Sequence, residues 1–216
     1  MQVQGDYQKN GYALIKGLLA PEIITAFLAK MESDLAAANL SYQNFPGSRA
    51  LTRHDTIEIL GREYLPMLTL LWGLTPTMSH LTGRDLLPSF NYFRIYSKGD
   101  ICRVHSDRPA CEHSLSLTLA YADGKPWPLD LGAEPVEGPG ELTEDFSGKR
   151  HLAFEMMPGD AVLYQGVRRR HGRITPNPNS WSAHLFLHWV EKGGAHQDHA
   201  FDARQMAEQS PARGAV

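Results

Sequence analysis

Two histidines and one aspartate stand at positions that suit a single metal ion: His105 and Asp107, separated by Ser106, and His171 much farther along the chain. Two imidazoles and one carboxylate leave half of an octahedral iron open for a co-substrate and dioxygen, whereas a structural zinc site fills all of its positions with protein ligands. On a strand, residues two apart face the same side, so His105 and Asp107 can grip one ion together while His171 completes the set. A histidine-x-aspartate triplet by itself arises readily in a chain with 10 histidines, where the plain alternative is a hydrogen-bonded surface histidine. The segments around the three residues decide between the two.

Both ligand groups are predicted at strand ends. Residues 91–104 read as a strand, a turn at Gly99-Asp100 and a second strand that delivers His105. Residues 114–121 alternate polar and apolar with the period of a half-buried strand. Met157-Pro158-Gly159-Asp160 is a turn signal, and Ala161-Val162-Leu163-Tyr164 is a short apolar strand leading toward Arg170 and His171. Helical signals come earlier. Pro21 suits a first helical position, Ile24, Phe27, Leu28, Met31 and Leu35 follow at helical spacing, and a second helical run is predicted over residues 55–71. Helices followed by many short strands predict an α+β, mainly β domain whose N-terminal helices buttress one sheet.

Four segments carry a resemblance. They are Asn10-Gly11-Tyr12-Ala13-Leu14-Ile15-Lys16-Gly17-Leu18-Leu19 before Pro21, then Tyr96 to Gly99-Asp100 with His105-Ser106-Asp107, then Pro158-Gly159-Asp160, and last His171-Gly172-Arg173 followed by Leu185-Phe186-Leu187-His188-Trp189-Val190. In this order they resemble the Fe(II)/2-oxoglutarate-dependent dioxygenase superfamily, in its prolyl-hydroxylase-like branch, over most of residues 8–192. The resemblance implies a double-stranded β-helix, a jelly-roll or cupin-like core of two facing antiparallel sheets. It implies Fe(II) held by His105, Asp107 and His171, with 2-oxoglutarate and dioxygen as co-substrates. The implied reaction is hydroxylation of an unactivated C–H bond, coupled to conversion of 2-oxoglutarate to succinate. Because halogenating relatives carry a small residue in place of Asp107, its carboxylate implies hydroxylation, desaturation or ring closure instead.

Tyr96 and Tyr121 stand at the family's positions for hydroxyls that contact the co-substrate. The family usually sets an arginine or lysine roughly nine or ten residues after the distal histidine to hold the far carboxylate, and this chain has Ser180 and Trp181 there. The insertion Thr175-Pro176-Asn177-Pro178-Asn179 shifts the register toward Ser182 and His184. Arg173 is the better cation, since it lies two residues beyond His171 on the same face and its planar guanidinium suits bidentate capture of a carboxylate.

At 216 residues the chain has room for one substantial core. A single domain over residues 1–192 is expected, with residues 193–216 as a peripheral tail bearing a helix around 203–209. A net charge of -3 and a pI near 6.4 give no general attraction to nucleic acid or anionic membrane, so a small-molecule partner is expected. Arg168-Arg169-Arg170 reads as strand residues with solvated heads. Cys102 and Cys111 make no disulfide framework, and neither a signal peptide nor an apolar run of about 18 residues is visible, which suits the cytoplasm. Residues 132–150 read as a long loop, either a substrate lid or a surface excursion. Arg108 and Glu112 read as a mutual salt bridge, Trp127 as core, and His188 as a satisfied buried histidine. The leading expectation is hydroxylation of a small polar molecule such as an amino acid or natural-product intermediate. The alternatives are hydroxylation of a protein or peptide side chain, and a metal-binding cupin-like protein that does not use 2-oxoglutarate.

Overall fold

The computed structural model describes residues 1–138 and 140–202. In chain order its strands are β1 (Gln2–Gln4), β2 (Tyr12–Lys16), β3 (Ile57–Leu60), β4 (Leu86–Ser97), β5 (Cys102–His105), β6 (His113–Tyr121), β7 (Leu129–Gly132), β8 (His151–Phe154), β9 (Ala161–Tyr164), β10 (His171–Arg173) and β11 (Trp181–Glu191). The helices are α1 (Tyr7–Asn10), α2 (Pro21–Ala37) and α3 (Pro66–Thr82). The strands form a larger sheet ordered β1-β2-β9-β6-β11-β4-β3 and a smaller one ordered β5-β10-β7-β8, antiparallel throughout.

Strand alternation divides the core into two layers. On β6, Leu115, Leu117 and Leu119 join Ala183, Leu185, Leu187 and Trp189 of β11 in a cluster with Ile24, Met31 and Leu35 of α2 and Met67, Leu71 and Met78 of α3. The opposite face of the same sheet meets the smaller sheet. Tyr96 of β4 and Phe186 of β11 pack there with Cys102 of β5, and Val162 and Tyr164 of β9 pack with Leu129 and Leu131 of β7. The helices therefore seal one face and leave the inter-sheet space for chemistry.

Two acidic turns fix the strands that carry the candidate ligands. Asp100 Oδ1 accepts from the backbone N–H groups of Arg53, His54 and Ile101, which pins the β4–β5 turn to the segment before β3. Asp160 accepts from the N–H groups of Gly17 and Met157 and from Lys16 Nζ, which ties the start of β9 to β2.

The second helical run is displaced from its expected place. Residues 57–60 pair with β4 as an edge strand, and the helix starts only at Pro66 and continues to Thr82, where Gly83 caps it at φ 69. Ile57 and Ile59 favour the sheet, and Pro66 supplies the fixed φ of a first helical turn. Of the arginine run only Arg168 is exposed as expected. Arg169 donates to the carbonyls of Gly132, Ala133 and Asn10, and Arg170 to those of Val104 and Glu141, so both guanidiniums satisfy loop and strand-end carbonyls.

Residues 132–150 do connect β7 to β8 as a loop, tethered where Val104 and Thr143 exchange backbone hydrogen bonds. The tail expected to be peripheral is drawn in as far as Asp202: a 3₁₀ segment, Gln197–Asp202, packs beside β4, and His199 O accepts from Ser89 Oγ. The helix expected around 203–209 lies outside the described residues. Cys102 and Cys111 are free, buried thiols. Among the described residues no helix is long and apolar enough to cross a membrane.

Candidate metal centre

β5 ends at His105 and β10 begins at His171, and the two residues are register partners with ring centroids 4.4 Å apart. The smaller sheet thus places both imidazoles side by side. Gly172 permits the approach, since a Cβ there would lie 2.6 Å from the Cys102 carbonyl oxygen. Asp107 sits just past the end of β5, where its N–H donates to Gly166 O at 2.9 Å and its Oδ2 accepts from Ser114 Oγ of β6 at 2.9 Å. Oδ1 is left toward the histidines, 3.6 Å from His105 Nε2 and 3.5 Å from His171 Nε2. A Cβ on Gly166 would come within 2.3 Å of both Asp107 Oδ2 and the Cys111 carbonyl oxygen, so only glycine leaves the carboxylate its place.

The tautomers follow from the backbone. His105 Nδ1 lies 2.7 Å from Arg103 O, and His171 Nδ1 lies 2.8 Å from Arg169 O. A carbonyl only accepts, so each Nδ1 carries the hydrogen and each neutral ring turns an Nε2 lone pair toward Asp107. Burial, and then His171, lower the pKa of His105. Burial also opposes charge on His171, yet the Asp107 carboxylate outweighs it and raises that pKa. For Asp107 burial again works against charge, but His171 and then His105 hold the carboxyl well below its usual range.

The three ligand atoms lie within 4.8 Å of one another. Bonds of about 2.0–2.2 Å to a shared ion set neighbouring ligand atoms roughly 3 Å apart, so a slight closing of the trio seats one metal. Two imidazoles and one carboxylate suit a non-haem iron.

A recess opens from the three ligands, lined by Tyr92, Arg94, Tyr96, Tyr164 and Arg173 among others. Arg173 is 1 % exposed. It donates to Trp127 O and, at 3.2 Å, to His184 Nδ1, and its guanidinium lies 4.8 Å from the Trp127 ring centre. Among the described residues it forms no ion pair, whereas Arg94 binds Glu58 Oε2 at 2.5 Å and donates to Tyr96 Oη at 3.1 Å.

Of the residues expected to meet the co-substrate, Tyr96 and Arg173 line this recess and Tyr121 and His184 do not. The Tyr121 hydroxyl is spent on Trp127 O at 3.2 Å. His184 packs beside Arg173, where burial and then the Arg173 and Arg94 cations push its pKa well down. Arg94 was legible but unread: it falls two residues before Tyr96, on the same face of β4.

Outside the ligands lies a cavity of about 590 Å³ whose lining includes Leu51, Phe90, Arg108, Leu142, His188 and Phe201 together with His105 and Asp107. Its roof joins the long loop, through Leu142, to the C-terminal segment, through Phe201, which meets Trp72 edge-on at 6.4 Å. Arg108 and Glu112 do not pair as expected. Arg108 reaches Asp202 at 3.6 Å, while Glu112 accepts from the Glu191 N–H at 2.8 Å. Trp127 is core, fully buried. His188 departs from the expected satisfied core histidine, because it lines the cavity and its Nε2 has no hydrogen-bond partner among the described residues. Burial pushes its pKa down to about 4.

A chain whose two antiparallel sheets bring two histidines and an aspartate together beside a buried arginine has the fold of the 2-oxoglutarate- and iron-dependent oxygenases. The chain is similar to the epimerase SnoN, solved with Fe3+, alpha ketoglutarate and nogalamycin RO, at a TM-score of 0.65 and 13% identity over 97% of this chain and 89% of that one. A 2OG-Fe(II) oxygenase family oxidoreductase from Burkholderia pseudomallei aligns at a TM-score of 0.60 and 14% identity, covering 88% of this chain and 89% of that one. A Pseudomonas putida prolyl-4-hydroxylase aligns at a TM-score of 0.56 and 16% identity, covering 87% and 96%. No family model and no curated protein matches the sequence.

Proposed function

We propose that this protein is an Fe(II)- and 2-oxoglutarate-dependent oxygenase, built on a double-stranded β-helix, that hydroxylates a C–H bond of a small molecule. The observation that carries the proposal is the Arg173 guanidinium, buried without an ion pair among the described residues in the same recess as three convergent metal-donor atoms. A buried cation without an anion is costly, and a carboxylate of a dicarboxylate co-substrate would supply the missing charge.

His105, Asp107 and His171 would hold the iron, and Arg173, beside the Tyr96 hydroxyl, would hold the far carboxylate of 2-oxoglutarate. Iron and 2-oxoglutarate together supply an oxidant strong enough for an unactivated C–H bond, with succinate and carbon dioxide as by-products. Ser114 keeps Asp107 aimed at the histidines, while the two backbone carbonyls fix their tautomers. The aromatic and aliphatic part of the cavity wall would help to exclude water from a bound substrate.

A cavity of about 590 Å³ roofed by Leu142 and Phe201 suits a small molecule better than an extended peptide. SnoN, which binds nogalamycin RO, supports the same size class. SnoN is an epimerase, so the fold serves more than one outcome. The carboxylate of Asp107 favours hydroxylation over halogenation.

Anaerobic titration of the Fe(II)-loaded protein with 2-oxoglutarate tests the reading without any substrate. Keto-acid chelation should give a weak, saturable visible charge-transfer band. Iron bound with no such band would replace the proposal by a cupin-like metal protein that does not use 2-oxoglutarate.

A further inference from the structure

His188 is a buried base for which the proposed chemistry has no use. It lies on β11, 2 % exposed, and borders both the outer cavity and the metal recess. Its ring is clamped in a wall of near-parallel rings, 4.6 Å from Phe90 at 26° and 5.9 Å from Tyr92 at 23°. Nδ1 lies 2.9 Å from Ser114 Oγ, and the buried Nε2 has no hydrogen-bond partner among the described residues.

Its tautomer follows from the single hydrogen of the Ser114 hydroxyl. That oxygen is also 2.9 Å from Asp107 Oδ2 and 3.1 Å from Cys111 O, both of which only accept. A carboxylate outcompetes a neutral ring nitrogen for the hydrogen, because charge-assisted hydrogen bonds are the stronger kind. Ser114 therefore donates to Asp107, and His188 Nδ1–H donates to a Ser114 lone pair. In the neutral ring Nε2 is left as a bare acceptor beside the cavity.

Each of the other cations lining the cavity has a carboxylate partner, although two of them share one. Arg94 is paired with Glu58, and Arg62 and Arg108 share Asp202 at 3.9 and 3.6 Å. Of the fully buried polar side-chain atoms on cavity-lining residues, those left without hydrogen bonds among the described residues are His188 Nε2, Asn91 Oδ1 and Ser106 Oγ. The first two only accept, and much of the remaining wall is Leu51, Leu60, Leu68, Phe90 and Leu142.

We propose that His188 Nε2 accepts a hydrogen bond from a hydroxyl or amine of the substrate, and that the substrate is a predominantly apolar alcohol or amine. An unmet acceptor in a buried wall is costly, and a guest that donates to it removes the cost, whereas one that lacks the hydrogen does not. The inference rests on the oxygenase reading only in taking this cavity as the substrate's.

The test uses the full chain loaded with Zn(II), which is redox-inert, and 2-oxoglutarate. Nitrogen NMR should find His188 with hydrogen on Nδ1 and a lone pair on Nε2. Titrations with 2-naphthol and 2-methoxynaphthalene, which differ by that one hydrogen, should favour the naphthol by about ten-fold. His188→Phe should erase the preference and His188→Gln, which keeps an acceptor, should retain it. Hydrogen on Nε2, equal binding of the pair, binding of neither, or the same preference in His188→Phe would overturn the proposal. The charge-transfer band of the Fe(II) protein is read separately, so loss of the oxygenase reading and loss of the His188 role are distinct results.

Discussion

His105 and His171 are register partners across β5 and β10, so the spacing of two candidate metal ligands is set by a backbone ladder and not by flexible side chains. Each ring is then fixed by a carbonyl two residues upstream of its own position, Arg103 O or Arg169 O. A site held in this way would be pre-formed for a metal, which makes the following outcomes measurable.

Replacing Asp107 or His171 by alanine is expected to lower Co(II) affinity, followed by equilibrium dialysis, by at least about a hundred-fold while far-UV circular dichroism stays unchanged. The affinity should also be pH-dependent. In the metal-free protein Asp107 raises the pKa of His171, so protons compete with the ion and binding weakens as pH falls through that raised value. Wild-type affinity in either variant removes the residue from the ligand set.

Gly166→Ala inserts a methyl group where Asp107 Oδ2 and Cys111 O leave no room. Stability should drop by about 1–3 kcal/mol, as for overpacking generally, and metal affinity should fall with it. An alanine variant that binds Co(II) as tightly as the parent would show that the carboxylate does not depend on this contact.

Arg173→Met keeps much of the side-chain volume and removes the charge. The concentration of 2-oxoglutarate that half-saturates the charge-transfer band should rise roughly ten- to a hundred-fold, the loss expected for a charged hydrogen bond. Iron affinity should not move. If co-substrate binding is unaltered, Arg94 is the residue to examine next, since its guanidinium faces the same recess.

The pKa of His188 is pushed down to about 4 by burial, against about 6.5 in an unfolded chain. Between those values the unfolded state binds a proton that the folded state refuses, so stability rises with pH and is lost as pH falls from about 6.5 toward 4. From pH 7 to pH 5 the loss attributable to this ring is roughly 2 kcal/mol. Urea midpoints of the parent and His188→Phe at the two pH values should differ by that slope, and equal slopes would refute the assignment.

The strands β6 and β9, and the strand ends that carry His105 and His171, were legible because strand periodicity and turn chemistry are local signals. The apolar run over residues 55–71 misled because its spacing fits a helix until Ile57 and Ile59 are seen pairing with β4, a contact made across a long stretch of chain. Alternation on β11 separates His184, Phe186 and His188 from Leu185 and Leu187, but not which of the three reaches the cavity. His188 does and His184 does not, and that depends on how the smaller sheet sits over β11. The roles of Phe201 and Asp202 were equally hidden, since a polar tail carries no mark of the surface it covers.

Asp107 takes its orientation from Ser114 on the larger sheet, while both histidines ride on the smaller one. The proposed coordination sphere would thus be a caliper laid across the gap between the sheets, its reading set by the packing between them. Trimming Val162, which packs in that gap with Leu131, the register partner of His171, would alter the affinity of the proposed site for metal while leaving all three candidate ligands in place, so the hydrophobic layer would tune the site as well as support it.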